Sequence, residues 1–327
     1  MNGADVTDFA TGGMAIRLPT VAPLHLEATV RVLQRRPSNP VEIWDEDRFL
    51  RGFATAEGLV VTAVENRGSV DSPDIRLTFV AGNPSAETQR EIARRLRQML
   101  ALDLDPAPLA KAAERVPSLR ATALALRGMR PPRFASLFET FVNVIPFQQL
   151  SLDAGIAILT RLVDRFGEHL LHGERRFAAF PSASAIAAAR LPALLACGFS
   201  RGKAQALRGL AAAVDSGELE EAAIARLDTS DALTKLLELP GIGPWSAALV
   251  LLRGFGRLEV FPPGDSGATR GLNALLRLRA AGSLPRVVER FGDYRGYLYF
   301  CALGGSLLAK DLIHPAAVEV GDVHRAR

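Results

Sequence analysis

The chain has 327 residues, of which 48% are hydrophobic and 23% charged, with a formal net charge of +4 at pH 7 and a pI near 9.4. This length and balance are typical of a globular protein of about two domains. The mild positive charge suits a DNA-binding protein without proving one, and the stretch with fewest charges, residues 178–199, is broken by prolines, which excludes a membrane span.

The first third of the chain predicts a small antiparallel sheet domain. Residues 1–19 are polar and glycine-rich, and we expect a flexible arm. After them, apolar residues alternate with polar ones, which is the period of β-strands. Strands are expected around residues 26–32, 49–54, 59–63 and 75–79. Ser85 can cap one helix, so residues 20–105 are predicted to form an antiparallel sheet that carries a single helix.

Strand periodicity disappears after a polar linker at residues 102–106, and residues 106–327 predict a compact helical domain. The segments are amphipathic, rich in Ala and Leu, and joined by short loops marked by Gly or Pro. They are expected at residues 107–115, 119–127, 134–146, 149–166, 183–196, 201–215, 219–226, 231–238, 245–254, 265–278, 284–291 and 294–308. With the sheet domain they predict the α+β fold class.

The few cysteines and histidines argue against a metal centre. Cys197 and Cys301 lie in apolar surroundings and are expected to be buried thiols, whereas an iron–sulfur cluster would need four cysteines. His169 and His172 have no further ligands nearby, which disfavours zinc. The N-terminus has no basic region leading into an apolar core, so we expect no secretory signal and a cytoplasmic protein.

Residues 239–247 carry the most specific local pattern, Leu-Pro-Gly-Ile-Gly-Pro-Trp-Ser-Ala. Pro240 and Gly241 are expected to end one helix, and Gly243 to permit a second tight bend. Pro244 then suits the first position of the next helix. Two helices joined in this way form a helix-hairpin-helix, whose bare backbone N–H groups can bind a DNA phosphate.

A second signal follows the hairpin at residues 260–267, Val-Phe-Pro-Pro-Gly-Asp-Ser-Gly. Asp265 sits on a Pro/Gly turn before a predicted helix, 20 positions after Trp245. A hairpin followed by an aspartate at this distance resembles the helix-hairpin-helix DNA glycosylase superfamily, most of all its bacterial DNA-3-methyladenine glycosylase II branch. Residues 141–151 (FVNVIPFQQLS) and 198–206 are also similar to that family, and the resemblance runs from about residue 106 to 303.

The resemblance implies that Asp265 is the catalytic carboxylate, which stabilises positive charge on the sugar and directs a water molecule. The alternative is a simple helix N-cap. It also places Trp245 against the flipped base, where strand-cutting relatives have a lysine that forms a Schiff base. Lys235 lies ten positions earlier on the other helix and does not replace it. The chain is therefore expected to lack lyase activity.

The family likeness also implies the contacts with DNA. Phe147, Gln148 and Gln149 match the segment that fills the gap left by the flipped base, although a polar helix–helix junction remains an alternative. The N–H groups of Gly241 and Gly243 would bind phosphates. Arg201 and Lys203 lie at helical spacing, where they either contact phosphates or form a solvated helix face.

The superfamily often holds a monovalent cation on hairpin carbonyls. The corresponding residues here are Leu237, Leu239 and Ile242, and they imply a structural K⁺ or Na⁺. No other cofactor is expected.

The base pocket departs from the family pattern. Leu249, Ser266 and Leu303 stand where aromatic residues are expected, so the substrate range stays open. Other aromatic residues cluster near the C-terminal end of the resemblance: Tyr294, Tyr297, Tyr299 and Phe300.

Together these features predict a monomeric, monofunctional DNA glycosylase that removes damaged, alkylated purines from duplex DNA. Two alternatives stay open: a non-catalytic damaged-DNA-binding protein in which Asp265 is only a cap, and a glycosylase for deaminated or oxidised bases.

Overall fold

The computed structural model describes residues 15–277 and 283–317. Its N-terminal part is built on a five-stranded antiparallel sheet in the order β1-β5-β4-β3-β2. The strands are β1 (Ile16–Leu18), β2 (Ile43–Asp45), β3 (Arg48–Thr55), β4 (Gly58–Asn66) and β5 (Ile75–Ala81). The predicted sheet is thus present, and short turns join β2 to β3 and β3 to β4.

One predicted strand is a helix. Residues Leu26–Gln34 form α1, although their alternation of apolar residues suggested a strand. Leu26, Val30 and Leu33 pack in the core of the sheet domain, whereas Ala28 and Val32 pack in the core of the helical domain. A helix that is apolar on two opposite faces imitates the period of a strand, and this explains the error.

The predicted arm and the single helix of this domain also need correction. Ile16 pairs with Leu77 of β5, so the end of the arm belongs to the sheet, while residues 1–14 lie outside the described part of the chain. Ser85 does cap a helix, α2 (Ala86–Met99), by accepting the N–H of Thr88 at 3.3 Å. With α1, the domain has two helices where one was predicted.

The remainder of the described chain is mainly helical, and the α+β fold class is confirmed. The helices are α3 (Ala107–Glu114), α4 (Arg120–Ala125), α5 (Leu137–Val144), α6 (Leu152–Phe166), α7 (Ala183–Ala187), α8 (Leu191–Ala196), α9 (Arg201–Asp215), α10 (Glu221–Arg226), α11 (Thr229–Leu237), α12 (Pro244–Leu249), α13 (Ser266–Leu276), α14 (Ser283–Arg290) and α15 (Tyr297–Leu308). Within these residues, no helix is long and apolar enough to cross a membrane.

A hairpin of two strands interrupts the helices where no strand was expected. It consists of β6 (His169–His172) and β7 (Arg175–Ala178). A Cβ atom on Gly52 of β3 would lie 2.4 Å from the carbonyl oxygen of Ala178, so only glycine permits this close contact. The hairpin therefore packs against the N-terminal sheet. The last residue of the predicted helix at 265–278 and residues 318–327 lie outside the described part.

A buried ion-pair cluster joins the two domains. Arg51 of β3 donates to Glu42 at 2.6 Å and to Glu139 of α5 at 2.5 Å. Burial raises the pKa of Glu139, and Arg51 opposes that shift. Since α5 leads directly into residues 145–151, this cluster fixes one wall of the cleft described below.

Candidate active site

A cleft of about 1310 Å³ opens where the turn after α11, the start of α13 and the turn before α6 come together. Its lining comes from both domains. Arg35, at the end of α1, contributes from the N-terminal domain, and Trp245 and Asp265 contribute from the helical domain. The structure therefore brings the two most specific sequence signals into one cavity.

Glycine stands at the two hairpin positions, 241 and 243, for different structural reasons. Gly241 has a φ of 79°, and a Cβ there would lie 2.4 Å from the Cβ of Ala206 on α9. Gly243 has a φ of −97° and a ψ of −179°, which is extended backbone, and an added Cβ would meet nothing within 4 Å. The second tight bend predicted at Gly243 is therefore absent. Nothing inside the protein requires glycine there, whereas a ligand approaching the backbone would.

Asp265 combines the two roles that the sequence left as alternatives. It is the N-cap of α13, and its Oδ1 accepts the N–H of Ala268 at 2.7 Å. Its Oδ2 accepts the indole N–H of Trp245 at 2.8 Å. The helix dipole of α13 also favours a negative charge at this end. The carboxylate is thus held in a fixed orientation, partly exposed to the cleft.

The three residues predicted to enter the DNA gap differ in their surroundings. Phe147 is buried, and the guanidinium of Arg35 lies 4.3 Å from its ring centroid. Gln148 Nε2 donates to the Gly241 carbonyl at 2.8 Å and to Ser246 Oγ at 2.9 Å. Gln149 is exposed, with a φ of 55°. Phe147 therefore belongs to the core and Gln148 ties its loop to the hairpin, which leaves Gln149 at the surface.

The two cations predicted to bind phosphates, Arg201 and Lys203, differ in their surroundings. Arg201 is exposed in the first turn of α9. The amine of Lys203 donates to the carbonyl of Gln148, and burial lowers its pKa. Lys203 thus holds the same loop that Gln148 holds from the other side, in place of the free surface cation that the sequence suggested.

The predicted cation ligands lie at the start of the hairpin turn. Leu237 is the last residue of α11 and is exposed, and the Leu239 carbonyl accepts the N–H of Ile242 at 3.1 Å. Elsewhere in the described ranges, no group of three or more His, Cys, Asp or Glu side chains could hold a metal ion.

The floor of the cleft contains polar residues that the sequence analysis missed. Arg35 donates to the Asn143 side chain at 2.5 Å and to its carbonyl at 3.3 Å, and burial lowers the Arg35 pKa to about 10. Arg253 lies in a π-helical turn, Val250–Gly254, that continues α12. In the sequence Arg253 directly follows the apolar run 247–252, a position that does not by itself indicate a residue of the site.

The C-terminal aromatic cluster contributes one residue to the cleft. Tyr299 lines it and meets Phe300 edge to face, with ring centroids 5.5 Å apart. Tyr297 donates its hydroxyl to the Met129 carbonyl instead. The positions where aromatic residues were expected line the cleft with smaller or aliphatic side chains: Leu249, Ser266 and Leu303.

Two family models match the chain. Residues 142–292 match the HhH-GPD superfamily of base excision DNA repair proteins, and residues 15–136 match the AlkA N-terminal domain. The two matches together include the sheet domain, the hairpin and Asp265.

Individual proteins are similar over much of this length. The chain is 29% identical over 273 residues to DNA-3-methyladenine glycosylase 2 of Escherichia coli K12, covering 81% of this chain and 88% of that protein. It is 25% identical over 201 residues to the DNA-3-methyladenine glycosylase of Bacillus subtilis 168, covering 62% of this chain and 66% of the relative. A solved structure, the 3-methyladenine DNA glycosylase from Archaeoglobus fulgidus, shares the fold with a TM-score of 0.74 at 23% identity, over 90% of this chain and 99% of that one.

Proposed function

Because the chain belongs to the helix-hairpin-helix superfamily of base excision DNA repair proteins, we propose that it is a DNA glycosylase that hydrolyses the N-glycosidic bond of damaged, alkylated purines in duplex DNA. The observation that carries the proposal is the Asp265 carboxylate, which Trp245 and the N-terminus of α13 hold at the edge of a deep cleft. The names of the E. coli and B. subtilis relatives support the alkylated substrate.

The proposed mechanism needs the base to leave the duplex and enter the cleft. As the bond to the base breaks, positive charge develops on the sugar, and Asp265 stabilises that charge. The same carboxylate orients or deprotonates the water that attacks the anomeric carbon. Trp245 fixes the carboxylate by its N–H and offers the flipped base a flat apolar surface.

DNA would be held by contacts that do not depend on sequence. The backbone N–H groups at Gly241 and Gly243 bind phosphate oxygens, and Arg201 adds a cation. Gln149 is exposed on the loop that Lys203 and the hairpin hold through Gln148. In this proposal it fills the gap left by the flipped base. A bacterial enzyme with this substrate would act in the cytoplasm, as a monomer.

We also propose a structural monovalent cation at the hairpin turn. Backbone carbonyls at the C-terminal end of a helix are suitable ligands for K⁺ or Na⁺. The Leu239 carbonyl already accepts one hydrogen bond and has a second lone pair for an ion, and Leu237 and Ile242 would supply the others. Such an ion would stiffen the hairpin and take no part in the chemistry.

The decisive experiment is single-turnover base release from alkylated duplex DNA with enzyme in excess. Release of free base, leaving an abasic site, is expected. Tight binding of the damaged duplex without release would instead favour a damage-binding protein in which Asp265 only caps α13.

A further inference from the structure

Arg253 is a buried cation at the floor of the cleft. Its side chain is 2% exposed, and its guanidinium carbon lies 4.5 Å from the ring centroid of Phe134 and 5.6 Å from that of Phe300. All three guanidinium nitrogens are buried, which sets Arg253 apart within the described ranges, and the Tyr299 hydroxyl is the side-chain group that bonds to it, so most of its five N–H donors have no acceptor in the protein. Stacking on aromatic rings stabilises the charge in part, but together with Tyr299 it still leaves most of the N–H donors unsatisfied.

The backbone around Arg253 fixes this position. In the π-helical turn, the N–H of Phe255 is shared between the carbonyls of Val250 and Leu251, at 3.3 and 3.2 Å. The carbonyl of Arg253 itself accepts the N–H of Phe134 at 2.8 Å. Because π-turns are rare and frequently mark functional sites, the turn is a second indication that this arginine serves a ligand.

The charges under the cleft do not balance. Arg35, Arg51 and Arg253 are buried there, and the buried acids on the same side are Glu42 and Glu139. Arg51 already binds both acids. Even if both carboxylates are ionised, one positive charge remains. This positive floor attracts a carbonyl oxygen, whereas the negative charge of Asp265 lies at the edge of the cleft.

The lining of the cleft agrees with this electrostatic argument. A pocket for a cationic base would benefit from several aromatic faces, yet Leu249, Ser266 and Leu303 line this one. Tyr299, which is buried beside Arg253, adds a hydroxyl group to the same floor. The deepest part of the cleft is therefore rich in hydrogen-bond donors.

We propose that Arg253 is a specificity-determining residue that donates to the exocyclic oxygen of the flipped base, so that the pocket selects 6-oxopurines, with hypoxanthine the preferred base, over the cationic 6-aminopurine 3-methyladenine. An amino group facing the guanidinium would set donor against donor, whereas a carbonyl satisfies it. This inference rests on the proposed glycosylase function. It extends the substrates from alkylated to deaminated purines and, among alkylated purines, favours 7-methylguanine over 3-methyladenine.

The test uses four duplexes that separate the carbonyl from the charge. Hypoxanthine has the carbonyl and is neutral, and 7-methylguanine has the carbonyl with a positive charge. 3-Methyladenine has an amino group and a positive charge, and ethenoadenine is neutral with no carbonyl. Single-turnover rates are measured for the wild type and for Arg253→Met, which is close in length and apolar. The ratio of the two rates for each base cancels the intrinsic lability of the bond.

We expect Arg253→Met to lower hypoxanthine release about 10- to 100-fold more than ethenoadenine release, as loss of a charged hydrogen bond implies. Release of 3-methyladenine should rise relative to both. Arg253→Lys, which keeps the charge but loses the planar fork, should give an intermediate loss for hypoxanthine. An equal change for all four bases would overturn the inference and leave the glycosylase function intact, whereas no release of any base by the wild type would overturn both.

A measurement on the wild type alone covers the case in which Arg253→Met does not fold. Free hypoxanthine and free adenine are both neutral purines, with a carbonyl and an amino group at the 6-position respectively. Free hypoxanthine should inhibit the enzyme at least tenfold more strongly than free adenine. Equal inhibition, or stronger inhibition by adenine, would refute the role of Arg253.

Discussion

Asp265 shows how one side chain can satisfy both interpretations that a sequence offers. One carboxylate oxygen caps α13 and the other accepts the Trp245 indole N–H, so capping is the means by which the carboxylate is oriented. The spacing between hairpin and aspartate predicted that these two residues meet. It could not predict the hydrogen bond, because that depends on the angle between α12 and α13.

Asp265→Asn should separate the two roles. Asparagine caps helices about as well as aspartate, so the fold should persist, while the charge that stabilises the sugar cation is lost. Base release should fall about 10²- to 10³-fold. Single-turnover rates and duplex affinity are measured together, and affinity should change little.

Asp228→Asn is the matched control, because Asp228 also caps a helix, accepting the N–H of Asp231 at 2.8 Å, and does not line the cleft. Its base-release rate should equal that of the wild type. Near wild-type release by Asp265→Asn would remove the catalytic assignment.

Arg35 and Arg253 could not be recognised from the sequence as residues of the site. Arginine is usually exposed, and the burial of both depends on contacts far along the chain. Arg35 binds Asn143, 108 positions away, and Arg253 stacks on Phe134. Only the folded chain brings these groups under one cleft.

At the scale of elements, local patterns predicted the helices well and failed where an element contacts two cores. Helices such as α6 and α9 bury one apolar face, and their period predicted them. α1 has two apolar faces and was mistaken for a strand. The β6–β7 hairpin was missed because it is short and packs on a distant sheet.

The hairpin turn offers a clean test of phosphate binding at Gly243. An alanine there meets no protein atom and keeps an extended backbone, so the free energy of unfolding should change by less than about 1 kcal/mol. A methyl group at the bare backbone should nevertheless weaken binding to damaged and undamaged duplexes alike. Affinity for both duplexes is measured beside thermal unfolding.

Gly241→Ala serves as the comparison. Its positive φ and its contact with Ala206 predict a clear loss of stability, because the new Cβ would lie 2.4 Å from another carbon. If Gly243→Ala binds DNA as the wild type does, or loses affinity for one lesion only, the hairpin does not act as a general phosphate clamp.

At the scale of the whole molecule, the two domains share contacts that the sequence boundary at residue 105 did not suggest. Ala28, Val32 and Val41 of the N-terminal part pack in the core of the helical domain, and Arg35 reaches the cleft. The fold class followed from composition and period. The contact between the domains depends on which faces of their helices and strands pack together, and a local sequence pattern cannot predict that.

His25 makes this contact between the domains sensitive to pH. Its Nε2 bonds to the carbonyl of His314, and its Nδ1 accepts the N–H of Ala28 at the start of α1. Burial lowers the pKa of His25, and its bond to His314 and the nearby Glu27 oppose the shift. As pH falls below about 6.5, the unfolded chain takes up a proton that the folded chain refuses, so stability falls, by at most about 1.4 kcal/mol per pH unit.

The measurement is denaturant unfolding of the wild type and His25→Asn at pH 7.5 and 5.5. Asparagine keeps a capping oxygen and does not titrate in this range. The variant should lose less stability on acidification than the wild type does. The same loss in both proteins would mean that other groups set the acid sensitivity.

The last prediction concerns the reaction product, which is an abasic site in an intact DNA strand. Cutting the strand by β-elimination needs an amine that captures the sugar as an imine, and the hairpin has Trp245 at that position. Lys235 lies on the exposed side of α11 and binds Glu238 at 3.0 Å. Lys203 lines the cleft, but its amine donates to the Gln148 carbonyl and holds the loop.

Borohydride added during the reaction should therefore trap no protein–DNA adduct, and the abasic strand should break only after later treatment with alkali. Lys203→Ala and Lys235→Ala make the test specific. A trapped adduct that persists in Lys235→Ala and disappears in Lys203→Ala would assign the nucleophile to the loop amine. In that case Lys203 would have to release Gln148 whenever DNA binds, and the enzyme would be a lyase with its amine on α9, outside the hairpin.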